Sequence, residues 1–178
     1  MMIQTTAKLL MPANCAGKQR WTFLVLPKAA SDKLSSRGMV GIDGTINGTA
    51  FTAVLEPDGQ KGHWLKVGEA LRKKAGVAVG DTVQLAIGPA KKEPEPKVPA
   101  DLKKALSAAP EAAAAWDDLT TLARRDWVQW IEGAKKAETR QRRISNACDM
   151  LASGKRRVCC FDRSGFYSKE FSAPKAAE

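Results

Sequence analysis

Histidine and tyrosine each occur once in these 178 residues, cysteine four times, and no stretch approaches eighteen consecutive apolar residues. Each scarcity excludes something. Without a long apolar run, no helix is expected to span a membrane. The one histidine, His63, is far in sequence from the cysteines at 15, 148, 159 and 160, and no C-x-x-C pair occurs, so no metal site is expected. Adjacent Cys159 and Cys160 cannot readily bridge to each other, and reduced thiols in a cytoplasmic protein are the expectation. His63 has no serine or cysteine motif to activate, which leaves nucleophilic catalysis without its parts. Asp117 and Asp118 are neighbours whose helical side chains point apart, a poor two-carboxylate pair. Neither a G-x-G-x-x-G run nor a phosphate-binding loop is present, so no cofactor is expected. Residues 9–16, LLMPANCA, are too short for the apolar part of a secretion signal, and Pro12 and Asn14 suit neither cleavage nor lipidation. The expectation is a non-enzymatic, cytoplasmic binding protein.

What the chain does have is positive charge, tryptophan and a change of composition near its middle. The formal charge is +10. Residues 1–89 hold 11 basic and 6 acidic side chains, 90–97 hold 3 and 2, and 98–178 hold 15 and 11. The surplus favours encounter with anionic partners, but its even spread marks no dedicated basic domain. Residues 90–99, AKKEPEPKVP, combine three prolines with alternating charge, which predicts an extended connector. Glycine and β-branched residues prevail before it; alanine and helix formers prevail after it. The expected division is therefore a β domain over 1–89, a linker over 90–97, a helical domain over 98–154 and a flexible tail over 155–178.

The first part is punctuated like a small β-barrel. Strands are expected over 5–10, 21–26, 39–46, 49–55, 63–67 and 82–87, with Asn47-Gly48 as a tight hairpin turn. Short helices are expected near 29–34 and 69–74. In the second part helices are predicted from Pro99-Ala-Asp101 through Ala108, from Pro110, over 120–136 and over 139–152. Leu119, Leu122, Ala123, Trp127, Trp130, Ile131 and Ala134 follow the three-four spacing of one buried stripe, and Ile144, Ala147, Cys148 and Leu151 do the same on the last helix.

The segment 127–144, WVQWIEGAKKAETRQRRI, carries the candidate site. Thr139 is placed to cap the last helix, Glu138 and Arg142 are four apart, and Arg140 and Arg143 are three apart. Two readings compete. Arg124, Arg125, Arg140 and Arg143 form either a salt-bridged helix face or, with Trp127 and Trp130 as an aromatic wall, a site for phosphate, carboxylate or a nucleic-acid backbone. The position of the two tryptophans on the apolar stripe favours core packing for them. Arg156 and Arg157 beside Cys159 and Cys160 raise the question of a redox-sensitive thiol, against an incidental placement.

Residues 98–154 resemble the bacteriocin-protection, YdeI/OmpD-associated family. The likeness rests on VPADLKKAL from Val98 to Leu106, on Trp116, on the run from Arg124-Arg125 through Trp130-Ile131, and on Ala134-Lys135, Glu138-Thr139-Arg140 and Arg142-Arg143-Ile144. The first part resembles a small-barrel domain of unknown function, through Trp21 to Pro27, Gly44 to Gly48, and Val79 to Val83. Together the resemblances imply an α+β chain: a six-stranded barrel of double-split or swapped-hairpin type, with AbrB/MazE-like architecture, and then a helical module. The family resemblance also implies a role in tolerance of antimicrobial peptides and association with an outer-membrane porin, and brings no catalytic residues. From the residues themselves, the leading expectation is a protein of stress or antimicrobial-peptide tolerance that takes an anionic or protein partner at its Arg/Trp face. The competing reading is a nucleic-acid-binding regulator, a homodimer using its barrel and overall basic charge.

Overall fold

Six strands with short polar turns and a later set of amphipathic helices cannot share one core layer, and the chain separates them. The computed structural model describes residues 2–13, 21–158 and 161–177. They fall into two compact units, Met1–Pro94 with Asp162–Glu178, and Glu95–Phe161. The fold is α+β, as expected.

The first unit contains β1 (Ile3–Lys8), β2 (Thr22–Val25), α1 (Lys28–Ser31), β3 (Val40–Ile46), β4 (Thr49–Pro57), β5 (His63–Val67), α2 (Glu69–Ala75) and β6 (Thr82–Pro89). All neighbouring strands pair antiparallel, in the order β1-β6-β3-β4-β5-β2. The Asn47-Gly48 turn forms as predicted: both residues have positive φ, 46° and 84°, which a two-residue type I′ turn requires. The Asn47 side chain also accepts the Gln84 N–H at 2.7 Å, tying the hairpin to β6.

The sheet curls because β4 serves two partners. Residues 49–55 pair with β3, whereas Glu56 and Pro57 pair with β5. Past the end of β1 the two outer strands are joined where Leu10 and Phe23 exchange hydrogen bonds of 2.7 and 2.9 Å. The barrel expected from the sequence is thus a curled half-barrel. Alternate residues point inward, and Leu9, Leu24, Ile42, Ile46, Leu55, Leu65, Leu85 and Ile87 build its core.

The expected flexible tail is replaced, over 162–177, by a segment laid against this unit. The Ala13 N–H donates to the Lys175 carbonyl at 2.8 Å, Ala177 N–H to Met11 at 2.7 Å, and Ala173 N–H to Asp58 at 3.3 Å. Gly59 permits the approach: its φ is +77°, and a Cβ there would strike the Phe171 carbonyl oxygen. Weak periodicity hides such a segment, because its contacts are made by backbone rather than by an apolar stripe. The start of the linker is held similarly, with Lys91 N–H donating to the Asp43 carboxylate at 2.9 Å. Cys15, Cys159 and Cys160 lie outside the described residues, so the thiol readings made for them have no structural counterpart.

The second unit contains α3 (Ala100–Ser107), α4 (Pro110–Asp117), α5 (Thr121–Glu132) and α6 (Ala137–Ala152). Pro110 opens α4, and Thr120 caps α5 by accepting the Ala123 N–H at 3.1 Å. The helix expected to run to 136 stops at Glu132, with Gly133 as its C-cap. Leu102, Leu106, Ala112, Trp116, Leu119, Trp127, Val128, Ile131, Ile144, Ala147 and Leu151 form the core. The predicted stripe was rotated slightly: Leu122 is 47% exposed, and Val128 is buried in its place. No helix among the described residues is long and apolar enough to cross a membrane.

Candidate binding site

Helix ends leave carbonyls without intrahelical partners, and arginine is well suited to supply donors there. Arg124 Nη1 donates to the Leu119 carbonyl at 2.6 Å, just past the end of α4, while its Nη2 lies 2.9 Å from Glu95 Oε1. Thr121 donates its hydroxyl to the same carboxylate. Arg156 meets both the Asp118 carbonyl, at 3.2 Å, and the Asp118 carboxylate. Arg143 does at the end of α5 what Arg124 does at the end of α4, donating Nη1 to the Trp130 carbonyl at 2.6 Å.

Arg140 points to another helix. It binds Asp101 with both arms of the guanidinium, Nε to Oδ2 at 2.6 Å and Nη2 to Oδ1 at 3.0 Å, joining α6 to the first turn of α3. This hydrogen bonding with Arg140 is the main cause that lowers the Asp101 pKa, and the same pairing raises that of Arg140. Arg140 and Arg143 therefore engage different neighbours from one helix.

The tryptophans divide as well. Trp127 is fully buried, and its indole N–H donates to the Arg156 carbonyl at 3.2 Å. Trp130 is half-buried and packs edge-on against Trp127, with ring centroids 6.0 Å apart. The Arg143 guanidinium lies 5.3 Å from the centroid of the Trp130 ring. Of the candidate residues, these two alone combine a cation with an aromatic face that solvent still reaches.

Thr139 is not a cap. Helix α6 begins two residues earlier, at Ala137, and its N-cap Lys136 makes no side-chain bond. Glu138 and Arg142, despite their spacing, do not pair with each other; both are exposed, and water competes for them. Arg125 is 8% exposed and belongs to the buried part of α5 rather than to an open cationic face. Beside it in the helix, Gln129 is 3% exposed, and its side-chain amide bonds to no described residue. Nothing in the hydrophobic pattern signals that a glutamine is buried there. Asp101, Glu95 and Asp118, the acidic partners of the arginines, were missed because they are distant in sequence.

Burial pushes the Cys148 thiol up, away from a reactive thiolate. His63, fully buried, has its pKa lowered by burial, with its Nε2 2.9 Å from the Gly38 carbonyl. Among the described residues no group of three or more His, Cys, Asp or Glu could hold a metal ion.

Comparison with known families places these parts. Residues 95–154 match the family described as Bacteriocin-protection, YdeI or OmpD-Associated. Residues 6–87 match a domain of unknown function, DUF1905. The two matches follow the order read from the sequence. No curated protein matches it.

Proposed function

We propose that this protein, which joins a domain of unknown function to a bacteriocin-protection domain, is a non-enzymatic binding protein contributing to bacteriocin tolerance. Its partner, anionic or protein, is taken at the Trp130–Arg143 face of the helical unit. The observation that carries this reading is the guanidinium 5.3 Å from a half-buried indole. A planar cation over an aromatic ring offers charge and apolar surface together, the combination that concentrates binding energy at interfaces. Arg124 and Arg140 are held instead by the Glu95 and Asp101 carboxylates. Trp127, fully buried, supports Trp130 from behind.

The test is survival of bacteriocin-sensitive bacteria expressing the protein. Arg143→Gln and Trp130→Leu should each remove most of the survival advantage while the purified variants keep a cooperative thermal transition. Protection equal to that of the unaltered protein, from folded variants of both kinds, overturns the proposal.

A further inference from the structure

Between α3 and α4 lies an open cleft of about 550 Å³, lined by Lys97, Val98, Lys103, Leu106, Ser107, Ala113, Trp116 and Asp117. Its volume lies within the range of small-molecule sites, roughly 300–1,000 Å³. The walls are apolar: Leu106 and Trp116 are buried members of the helical core, and Val98 and Ala113 pack against it.

Of its polar groups, the Ser107 hydroxyl is committed to the Lys103 carbonyl at 2.9 Å; the charged ones are not. Lys97 and Lys103 are exposed and form no ion pair with any described residue, in contrast to Arg124, Arg140 and Arg156 of the same unit. Trp116 is 6% exposed, yet its indole N–H donates to no described residue. Asp117, the one acid lining the cleft, is outnumbered by the two lysines. Apolar walls, two unpaired ammonium groups and a spare indole donor match one ligand chemistry: an apolar body ending in an anionic oxygen group.

We propose that this cleft binds a small, soluble amphiphilic anion, such as an alkyl carboxylate, with its tail against Leu106, Ala113 and Trp116 and its carboxylate between Lys97 and Lys103. This does not rest on the Trp130–Arg143 reading, which uses other residues. Desolvation of the tail supplies the attraction, and the lysines set the sign of charge accepted.

The test is calorimetric titration of the full chain with dodecanoate, below its micelle concentration, against dodecyltrimethylammonium, which has the same tail and opposite charge. Dodecanoate should bind one per chain and the cationic probe at least about tenfold more weakly. Lys97→Glu with Lys103→Glu, both exposed and away from the packed core, should weaken dodecanoate by about tenfold or more and remove the preference. Ala113→Phe should block both probes. Equal affinity for the two probes, or dodecanoate binding unchanged in the folded charge-reversal variant, overturns the proposal. So does binding to phosphatidylglycerol vesicles without binding to free dodecanoate, which would make the source of the anion a membrane surface. Should Ala113→Phe fail to fold, the charge-reversal variant decides alone.

Discussion

Asp162 and Trp127 show how much a single side chain organises here. Burial would raise the Asp162 pKa, but hydrogen bonds from Ser168 N–H, the Ser164 hydroxyl, Tyr167 N–H and Ser164 N–H overturn that and hold it at about 2, below the ordinary value of 3.8. A carboxyl with a depressed folded pKa contributes stability that is present above its unfolded value and lost as pH falls through the folded one. The contribution should therefore persist above pH 3.8 and disappear as pH falls towards 2. The group is only partly buried, so the effect is modest, and Asp162→Asn should flatten this limb of the pH–melting curve. Trp127 acts through volume. Fully buried, and bonded through its indole to Arg156, it fills the centre of the helical core. Trp127→Ala should destabilise the helical unit by about 3–5 kcal/mol, measured by denaturant unfolding.

At the scale of elements, stability resides in the ends. Helix α5 begins with the Thr120 hydroxyl accepting the Ala123 N–H and ends where Arg143 takes the Trp130 carbonyl. Thr120→Ala should cost about 1 kcal/mol in denaturant unfolding, with little change in helix content. In the first unit the equivalent vulnerable point is Gly59, where positive φ and the nearby Phe171 carbonyl both resist a side chain. Gly59→Ala should lower the melting temperature and speed proteolytic cleavage within residues 162–177. The strands, the Asn47-Gly48 turn and the Pro110 helix start were legible in the sequence because each is a local signal. The end of α5 was misplaced because Lys135 and Lys136 continue a helical composition after the chain has left the helix at Gly133.

Over the whole molecule, the +10 charge is divided between the two parts rather than gathered on one. An evenly spread surplus attracts polyanions without organising phosphate contacts, so its binding depends strongly on salt. Labelled random duplex DNA should bind at low ionic strength and release at physiological ionic strength, as read by fluorescence anisotropy. Binding that survives there would favour the competing reading, a nucleic-acid-binding regulator.

The sequence by itself determined the order of a β part and a helical part, the family resemblance of each, and the residue types of the candidate site. These are written in periodicity, turn chemistry and motif spacing, all of which act over a few residues. Only the tertiary structure decided which arginine meets which partner. Arg140 reaches Asp101, Arg124 reaches Glu95 and Arg156 reaches Asp118, across 39, 29 and 38 positions. It also decided that residues 162–177 return to the sheet and that α3 and α4 leave a cleft between them. Such choices depend on which surfaces remain unpaired once the local elements have formed, a property that no short window of sequence contains.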